Sequence, residues 1–450
     1  MHAVCKRYAW LPIEMRRTAL LAAPVVAGQF SAMGMNVVDT VLAGRHGALT
    51  LAAVAVGSAV WSLVLLVVLG VLMAVPPSVS QLDGAGRRDE IGALFRQACW
   101  LALALGLALF AFVRASSWLL AAVGIAPEVQ PRAIEFLHAL SWGAPALAGL
   151  FVCRNLSEGL HWTLPTMVSG VAGLLALIPL GYALMFGTLG LPELGAAGLG
   201  YATALVTWLQ LLGMVVYLSR SSRFTELAPF GRFEPPRRAP IAELLRVGMP
   251  MGASVFMEGS LFVATALAIG TIGAVQVAAH QIAISLASLA FMVPLGVAMA
   301  TTVRVGSAVG RDDRSGVRRA GAAGYGIVLL TQTVSALALL LGAESIAALY
   351  TRDAAVAALA AVLMVYAAAF QFSDGIQAAS AGALRGLKDT RVPMWITMAS
   401  YWGLGMSLGL ALGLGLELGA AGMWWGLIVG LSAAAFGLTR RFVRMSAARP

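Results

Sequence analysis

The chain has 450 residues, of which 60% are hydrophobic and only 11% charged, with a formal net charge of +10. A soluble domain carries roughly a quarter charged residues, so this composition excludes an ordinary globular protein. The positive balance does not mark a nucleic-acid binder either, because the basic residues are gathered in short segments between long apolar runs.

Those runs are about 20 residues long, enough for an α-helix to cross a bilayer. None shows the strict alternation of a membrane β-barrel. The sequence therefore predicts an all-α polytopic membrane protein. Residues 1–16 form a basic lead, and the first run, after Arg16-Arg17, lacks a signal-peptide cleavage pattern and reads as a retained span. Spans are expected near 18–43, 51–80, 92–114, 130–153, 165–188 and 196–219. Residues 220–240 then combine Arg220, Arg223, Arg232, Arg237 and Arg238 with Pro229, Pro235, Pro236 and Pro240. Proline at that density ends helices and removes backbone donors, which marks a linker. Spans resume near 243–271, 276–303, 319–342, 354–384, 392–414 and 420–440. The expected organisation is twelve helices: a six-helix bundle over 1–219, a cytoplasmic linker over 220–242 and a second six-helix bundle over 243–450.

The two halves repeat each other. At a shift of 226 positions Pro24 falls on Pro250, Gly44 on Gly270, Ala52-Ala53 on Ala278-Ala279 and Gly84 on Gly310. Leu69-Gly70-Val71-Leu72-Met73-Ala74 overlies Leu295-Gly296-Val297-Ala298-Met299-Ala300 at the same shift. Glu193-Leu194-Gly195-Ala196-Ala197-Gly198 recurs letter for letter as Glu417-Leu418-Gly419-Ala420-Ala421-Gly422, at a shift of 224. So long a period means two homologous halves rather than a short-repeat solenoid, and in membrane proteins a transport pathway commonly lies between such halves. Pro24 and Gly28 in the first span, with Gly248, Pro250 and Gly252 opening the seventh, fit either a kink or close packing through small residues.

Orientation follows from charge. The loops on the side of the N-terminus hold 26 of the 30 Lys and Arg, leaving Arg45, Arg114, Arg132 and Arg352 for the other side. That bias places both termini in the cytoplasm, with an even number of crossings, and the bacterial inner membrane is the expected location. Cys5, Cys99 and Cys153 form no disulfide framework.

Among twenty acids, three sit well inside apolar runs: Asp39, Glu258 and Asp374. A carboxylate near mid-membrane costs about 2.5–3.5 kcal/mol on insertion scales, which makes it a functional candidate; tying helices together is the structural alternative. Gln371, Asp374 and Gln377 lie three apart on one helical face, Asn36 pairs with Asp39 in the same way, and Glu258 shares its face with Ser254 and Phe262. Carboxylate, amide and hydroxyl oxygens suit a hard cation such as Na⁺, by analogy with calcium ligands. Glu258 and Asp374 are thus a candidate Na⁺ site, and the same acids can carry H⁺. His280, early in the eighth span, reads as a packed, hydrogen-bonded residue. Flexible Met side chains, nineteen in all, suit a cavity for varied ligands where they line one. No G-x-x-x-x-G-K-[ST] phosphate loop, H-E-x-x-H zinc site or G-x-S-x-G elbow is present, so the chain is not expected to be an ATP-driven pump or an enzyme, and no cofactor is expected.

Several segments together resemble the multidrug and toxic compound extrusion (MATE) family. They are Val37-Val38-Asp39-Thr40 with Ala43-Gly44; Phe256-Met257-Glu258; Ala278-Ala279-His280-Gln281; Met292-Val293-Pro294-Leu295-Gly296; Val303-Arg304-Val305-Gly306; and Asp374-Gly375-Ile376-Gln377 followed by Gly382-Ala383-Leu384-Arg385-Gly386 and Asp389-Thr390. The acid in the seventh span is similar to that of the NorM-like branch. The resemblance implies two six-helix bundles facing a central cavity and an antiporter that expels organic cation drugs by admitting Na⁺ or H⁺. It implies that Glu258 and Asp374 bind the coupling cation and that Asp39 serves the first bundle. Some members carry a Tyr four residues before the tenth-span acid, where this chain has Phe370. A monomer in the lipid bilayer is expected. A lipid-linked oligosaccharide flippase of related fold is the nearest alternative, but it would want basic residues in its cavity. A membrane-embedded aspartyl protease would want a Gly-x-Gly-Asp segment, whereas Phe372-Ser373 precede Asp374.

Overall fold

Inside a bilayer every backbone N–H and C=O must find its partner within the segment, so long apolar runs fold as helices. The computed structural model describes residues 10–448 apart from 123, 189 and 191, and among these there is no strand. The first nine residues, with Cys5 and the start of the basic lead, lie outside the described residues. The helices are α1 Leu11–His46, α2 Ala48–Leu72, α3 Val75–Gly84, α4 Arg88–Ala115, α5 Ser117–Ala122, α6 Gln130–Ser141, α7 Ala144–Gly159, α8 Leu164–Phe186 and α9 Gly195–Arg220. They continue as α10 Arg238–Gly270, α11 Ala274–Gly310, α12 Arg314–Tyr350, α13 Ala354–Gly386, α14 Arg391–Met398, α15 Ser407–Leu410 and α16 Gly419–Ala448. Carboxylates cap two of the starts: Asp313 Oδ1 accepts from Gly316 N at 2.8 Å, and Asp353 Oδ1 accepts from Ala355 N at 2.9 Å.

Ten helices among the described residues are long and apolar enough to cross a membrane, or eleven when the α6–α7 pair, bent by 46°, counts as one span. The protein is a multi-pass membrane protein. The segment expected at 392–414 is helical but broken, with π-turns at Ala399–Met406 and Ala411–Gly415 around α15, and so does not figure among the ten.

The repeat shows in the backbone. Left-handed conformations recur at matching positions: Gly86 (φ 73°) with Asp312 (55°), His161 (61°) with Lys388 (55°), and Gly195 (53°) with Gly419 (63°). Each half therefore turns its chain at the same places.

The compact units do not divide at the proline-rich linker. One unit comprises Ala27–Gly252, and the other comprises Met1–Val26 together with Ala253–Pro450. Close backbone approach explains the first assignment: Gly248 and Gly252 at the start of α10 lie against Val71 and Val67 of α2, with Gly70 against Gly252. At the repeat-related place Gly296 of α11 lies against Val26 of α1. The start of α1 is further tied to α11 by Arg304, which bonds Glu14 and Thr18, while Leu21 and Ala22 pack with Val297, Ala300 and Ile327.

The linker itself is pinned to α4 of the Ala27–Gly252 unit. Gln97 donates to Pro235 O at 3.1 Å and accepts from Arg237 N at 2.6 Å, and Trp100 Nε1 donates to Glu234 O at 2.8 Å. Arg96 bonds Glu234 at 2.6 Å, and that hydrogen bond holds the Glu234 carboxyl below its ordinary range.

Candidate functional site

In the unit formed by Met1–Val26 and Ala253–Pro450, α10, α13 and the π-turn segment 399–406 bring polar side chains together. α13 supplies the stripe that its spacing predicts. Gln371, Asp374 and Gln377 are all buried, and Asp374 is 4% exposed. Glu258 on α10 is half-buried, with Gln377 of α13 near its carboxyl. The Glu258 and Asp374 carboxyls lie close enough to repel each other. Phe262, one turn after Glu258, meets Phe370, one turn before Asp374, at 6.0 Å between ring centroids. Phe370 in turn meets Trp424 of α16 at 5.7 Å. Ser254, one turn before Glu258, is half-buried.

The environment of this pair is polar but unsatisfied. Among the described residues, Asp374 Oδ1, both amide atoms of Gln371, Gln377 Oε1, Gln332 Oε1 and the Tyr401 hydroxyl are buried without a hydrogen-bond partner. Buried polar groups are almost always paired, and these atoms offer donors and acceptors that no side chain among the described residues meets. Gln332 Nε2 donates to Gln371 O at 3.2 Å, and Ser373 bonds Ser432 at 2.6 Å beside Asp374. These bonds fix the stripe from both sides. His280 is buried against Trp424 at 5.8 Å, with Nδ1 unpartnered rather than bonded as its sequence setting suggests.

Two residues that complete the site were missed in the sequence. Tyr401 is fully buried (0% exposed) and interacts electrostatically with Glu258, Asp374 and Arg385. Its neighbour Trp402 donates through Nε1 to Met257 O at 3.3 Å, which fixes the π-turn at the level of Glu258. A phenol, absent at Phe370, thus lies in the neighbourhood of the acids on another helix, with no hydrogen bond to either. Arg385, counted among loop residues by charge pattern, belongs to the last turn of α13, and its guanidinium attracts Glu258.

Asp39 belongs to the Ala27–Gly252 unit, half-buried on α1 with Oδ1 lacking a partner among the described residues. Asn36, one turn before it on α1, is exposed. That unit also buries an acid the sequence did not single out. Glu158 of α7 is 2% exposed, accepts from Thr166 Oγ1 at 2.8 Å and faces Arg154 at 3.9 Å. The repeat would have drawn notice to it, since at a shift of 227, one more than that of the main repeat, Glu158-Gly159-Leu160 falls on Arg385-Gly386-Leu387. No cluster of three or more His, Cys, Asp or Glu suited to a metal occurs among the described residues.

The MatE family profile matches the chain twice, over residues 24–183 and 250–410, which are the two halves of the repeat. A "Probable multidrug resistance protein NorM" of Xanthomonas campestris pv. campestris is 57% identical over 96% of this chain and 94% of its own length. The "Multidrug resistance protein PmpM" of Pseudomonas aeruginosa is 42% identical over 96% of this chain and 91% of its own. A solved structure described as the outward-facing conformation of a multidrug resistance MATE family transporter matches the fold with a TM-score of 0.88 at 22% identity, covering 96% of each chain. With its profile matched in both halves and relatives 57% and 42% identical over 96% of its length, the chain belongs to the MatE family, as a NorM-like MATE transporter.

Proposed function

We propose that this protein is a secondary active exporter of drugs and other organic cations, driven by entry of Na⁺ or H⁺ at Glu258 and Asp374. It is a transporter and not an enzyme. One observation supports the reading: two carboxyls sit close together inside one unit of a membrane protein, among amide and phenol groups with polar atoms that lack a partner among the described residues. Acids at membrane depth mark ion and proton pathways. Two anions in a dry site cannot both remain ionised without a cation, so the site has two low-energy states, ion-loaded and proton-sharing. Coupling follows when the ion prefers one conformation, because a ligand with equal affinity for both shifts nothing. Since both acids come from one unit, a single chain suffices as the working transporter.

Efflux of ethidium from loaded cells, with Na⁺ and pH varied separately, tests this. Efflux should rise with inward Na⁺ or with inward protons, and rates indifferent to both gradients would refute ion coupling. In the same assay Asp39→Asn should lower the efflux rate roughly tenfold or more at normal protein level, as loss of an intramembrane functional acid implies. Unchanged efflux across pH would leave Asp39 a purely structural acid.

The reading also places the protein in the bacterial inner membrane with both termini and residues 220–242 in the cytoplasm, supported by the 26-to-4 split of basic residues. Ala228 is exposed in the linker. An Ala228→Cys variant lacking Cys5, Cys99 and Cys153 should resist a membrane-impermeant maleimide in intact cells and react after lysis. Labelling from outside would invert the topology.

A further inference from the structure

We infer that the groove between α8 and α9 is a binding site for one phospholipid with an anionic headgroup. An acyl chain lies along the groove, and the phosphate rests on Arg220 and Arg223. The inference does not depend on the acid pair or on the coupling ion.

The groove belongs to the Ala27–Gly252 unit and holds about 450 Å³. Pro165, Ala172 and Ala176 of α8 and Leu209 and Gly213 of α9 line it, with Tyr217 toward one end. Gly213 is exposed, and a Cβ there would meet nothing within 4 Å, so the groove is open above it. Gln210, the one amide of the lining, donates to Ser169 O at 2.7 Å and lies against Gly173, which has no room for a Cβ. Its polar end is thereby engaged by the backbone of α8, and the rest of the wall is mainly apolar. From Leu164 to Ala176 the groove follows twelve residues of helix, about 18 Å at the rise of an α-helix. One leaflet is about half of a hydrocarbon core roughly 30 Å thick. A single acyl chain therefore matches the groove in length.

The end near Tyr217 is cationic. It lies where α8 begins and α9 ends, and Trp and Tyr collect at that level of a membrane. Trp162 Nε1 donates to the Tyr217 hydroxyl at 2.6 Å, and the Arg223 guanidinium lies 3.8 Å from the centroid of the Trp162 ring. Phe224 meets Tyr217 at 6.0 Å between ring centroids. These contacts hold the turn at 222–227 so that Arg223 stands beside the end of the groove. Arg220, one turn after Tyr217 on α9, is exposed. Glu226, the acid of the same turn, pairs with Arg88 at 3.4 Å instead. Two arginines beside an apolar groove fit an anionic lipid and repel organic cations.

The test is native mass spectrometry of the purified full-length protein, titrated in detergent with dioleoylphosphatidylglycerol or dioleoylphosphatidylcholine. One phosphatidylglycerol should bind per protein at a concentration where phosphatidylcholine with the same chains does not. Arg220→Gln together with Arg223→Gln should weaken that binding roughly thirtyfold, as loss of two basic residues at a membrane surface implies. Gly213→Leu should fill the groove and abolish binding, whereas Gly213→Ala should keep it. Ala172→Phe fills the groove from the α8 wall and replaces Gly213→Leu if that variant does not fold. Equal binding of the two lipids would overturn the inference, as would unchanged phosphatidylglycerol binding in a folded groove-filling variant. Displacement of the lipid by an equal concentration of inorganic phosphate would also overturn it, because the headgroup alone would then account for binding.

Discussion

Glu258→Gln and Asp374→Asn are each expected to abolish ion-driven efflux while protein level stays near normal. The two carboxyls sit on different helices of one unit and share an environment of unpartnered polar atoms. Either substitution leaves a single acid where the pair had shared a cation or a proton. The effects should be strongly non-additive, because groups that act as one unit lose their function with the first removal. Initial efflux rates of both single variants and the double variant decide the matter. Singles that each retain substantial transport, with a double that shows the product of their effects, would mean that the acids work independently.

Gly426→Val should lower the stability of the folded protein by a large fraction. A Cβ at Gly426 of α16 would run into Gly409 Cα of α15 and Gly405 O of the π-turn before it, backbone atoms that cannot swing aside as a flexible side chain can. Membrane helices depend on such small residues to approach closely. Overpacking of this kind costs about 3 kcal/mol, at the upper end of the usual range, against a total stability of roughly 5–15 kcal/mol. Gly403 lies in the same segment with nothing within 4 Å of its own Cβ position, so Gly403→Val serves as the matched control and should be near neutral. Size-exclusion profiles and thermal melting of the two variants in detergent give the comparison. A Gly426→Val protein that melts with the parent would show that α16 can move away from residues 405–409 at little cost.

The acids and amides of the site were legible because charge and hydrogen-bonding groups are conspicuous in an apolar run. Gln371, Asp374 and Gln377 declare a helical face by spacing alone, and the structure buries all three. Arg385 was hidden by its company. Lys388 and Arg391 follow it, so a count of basic residues assigns all three to a cytoplasmic loop, whereas the helix runs through Arg385 to Gly386. Tyr401 was hidden by geometry: π-turns change the angle per residue, and a fixed helical period cannot project which face a side chain occupies. Arg154 and Glu158 escaped because they fall at the end of a span, where charges are common, and only folding shows Glu158 to be buried. The unit boundaries were illegible for another reason. Proline and arginine mark where the helix stops, but close approach between Gly70 and Gly252 decides where packing stops.

That pattern of packing bears on how such a chain can be divided or doubled. A gene cut within residues 220–242 would give two fragments, neither holding all the chain that its unit uses. The first would lack residues 238–252, which rest on Val67 and Val71. The second would lack residues 11–26, whose Leu21 and Ala22 pack with Val297, Ala300 and Ile327. Each fragment would expose a groove shaped for a helix start that it does not encode. A half-length ancestor of the repeat would have met the same difficulty, and it could complete its fold only by borrowing that helix start from a second copy. Reciprocal exchange of a short helical piece would then have held two separate polypeptides together before fusion joined them into one.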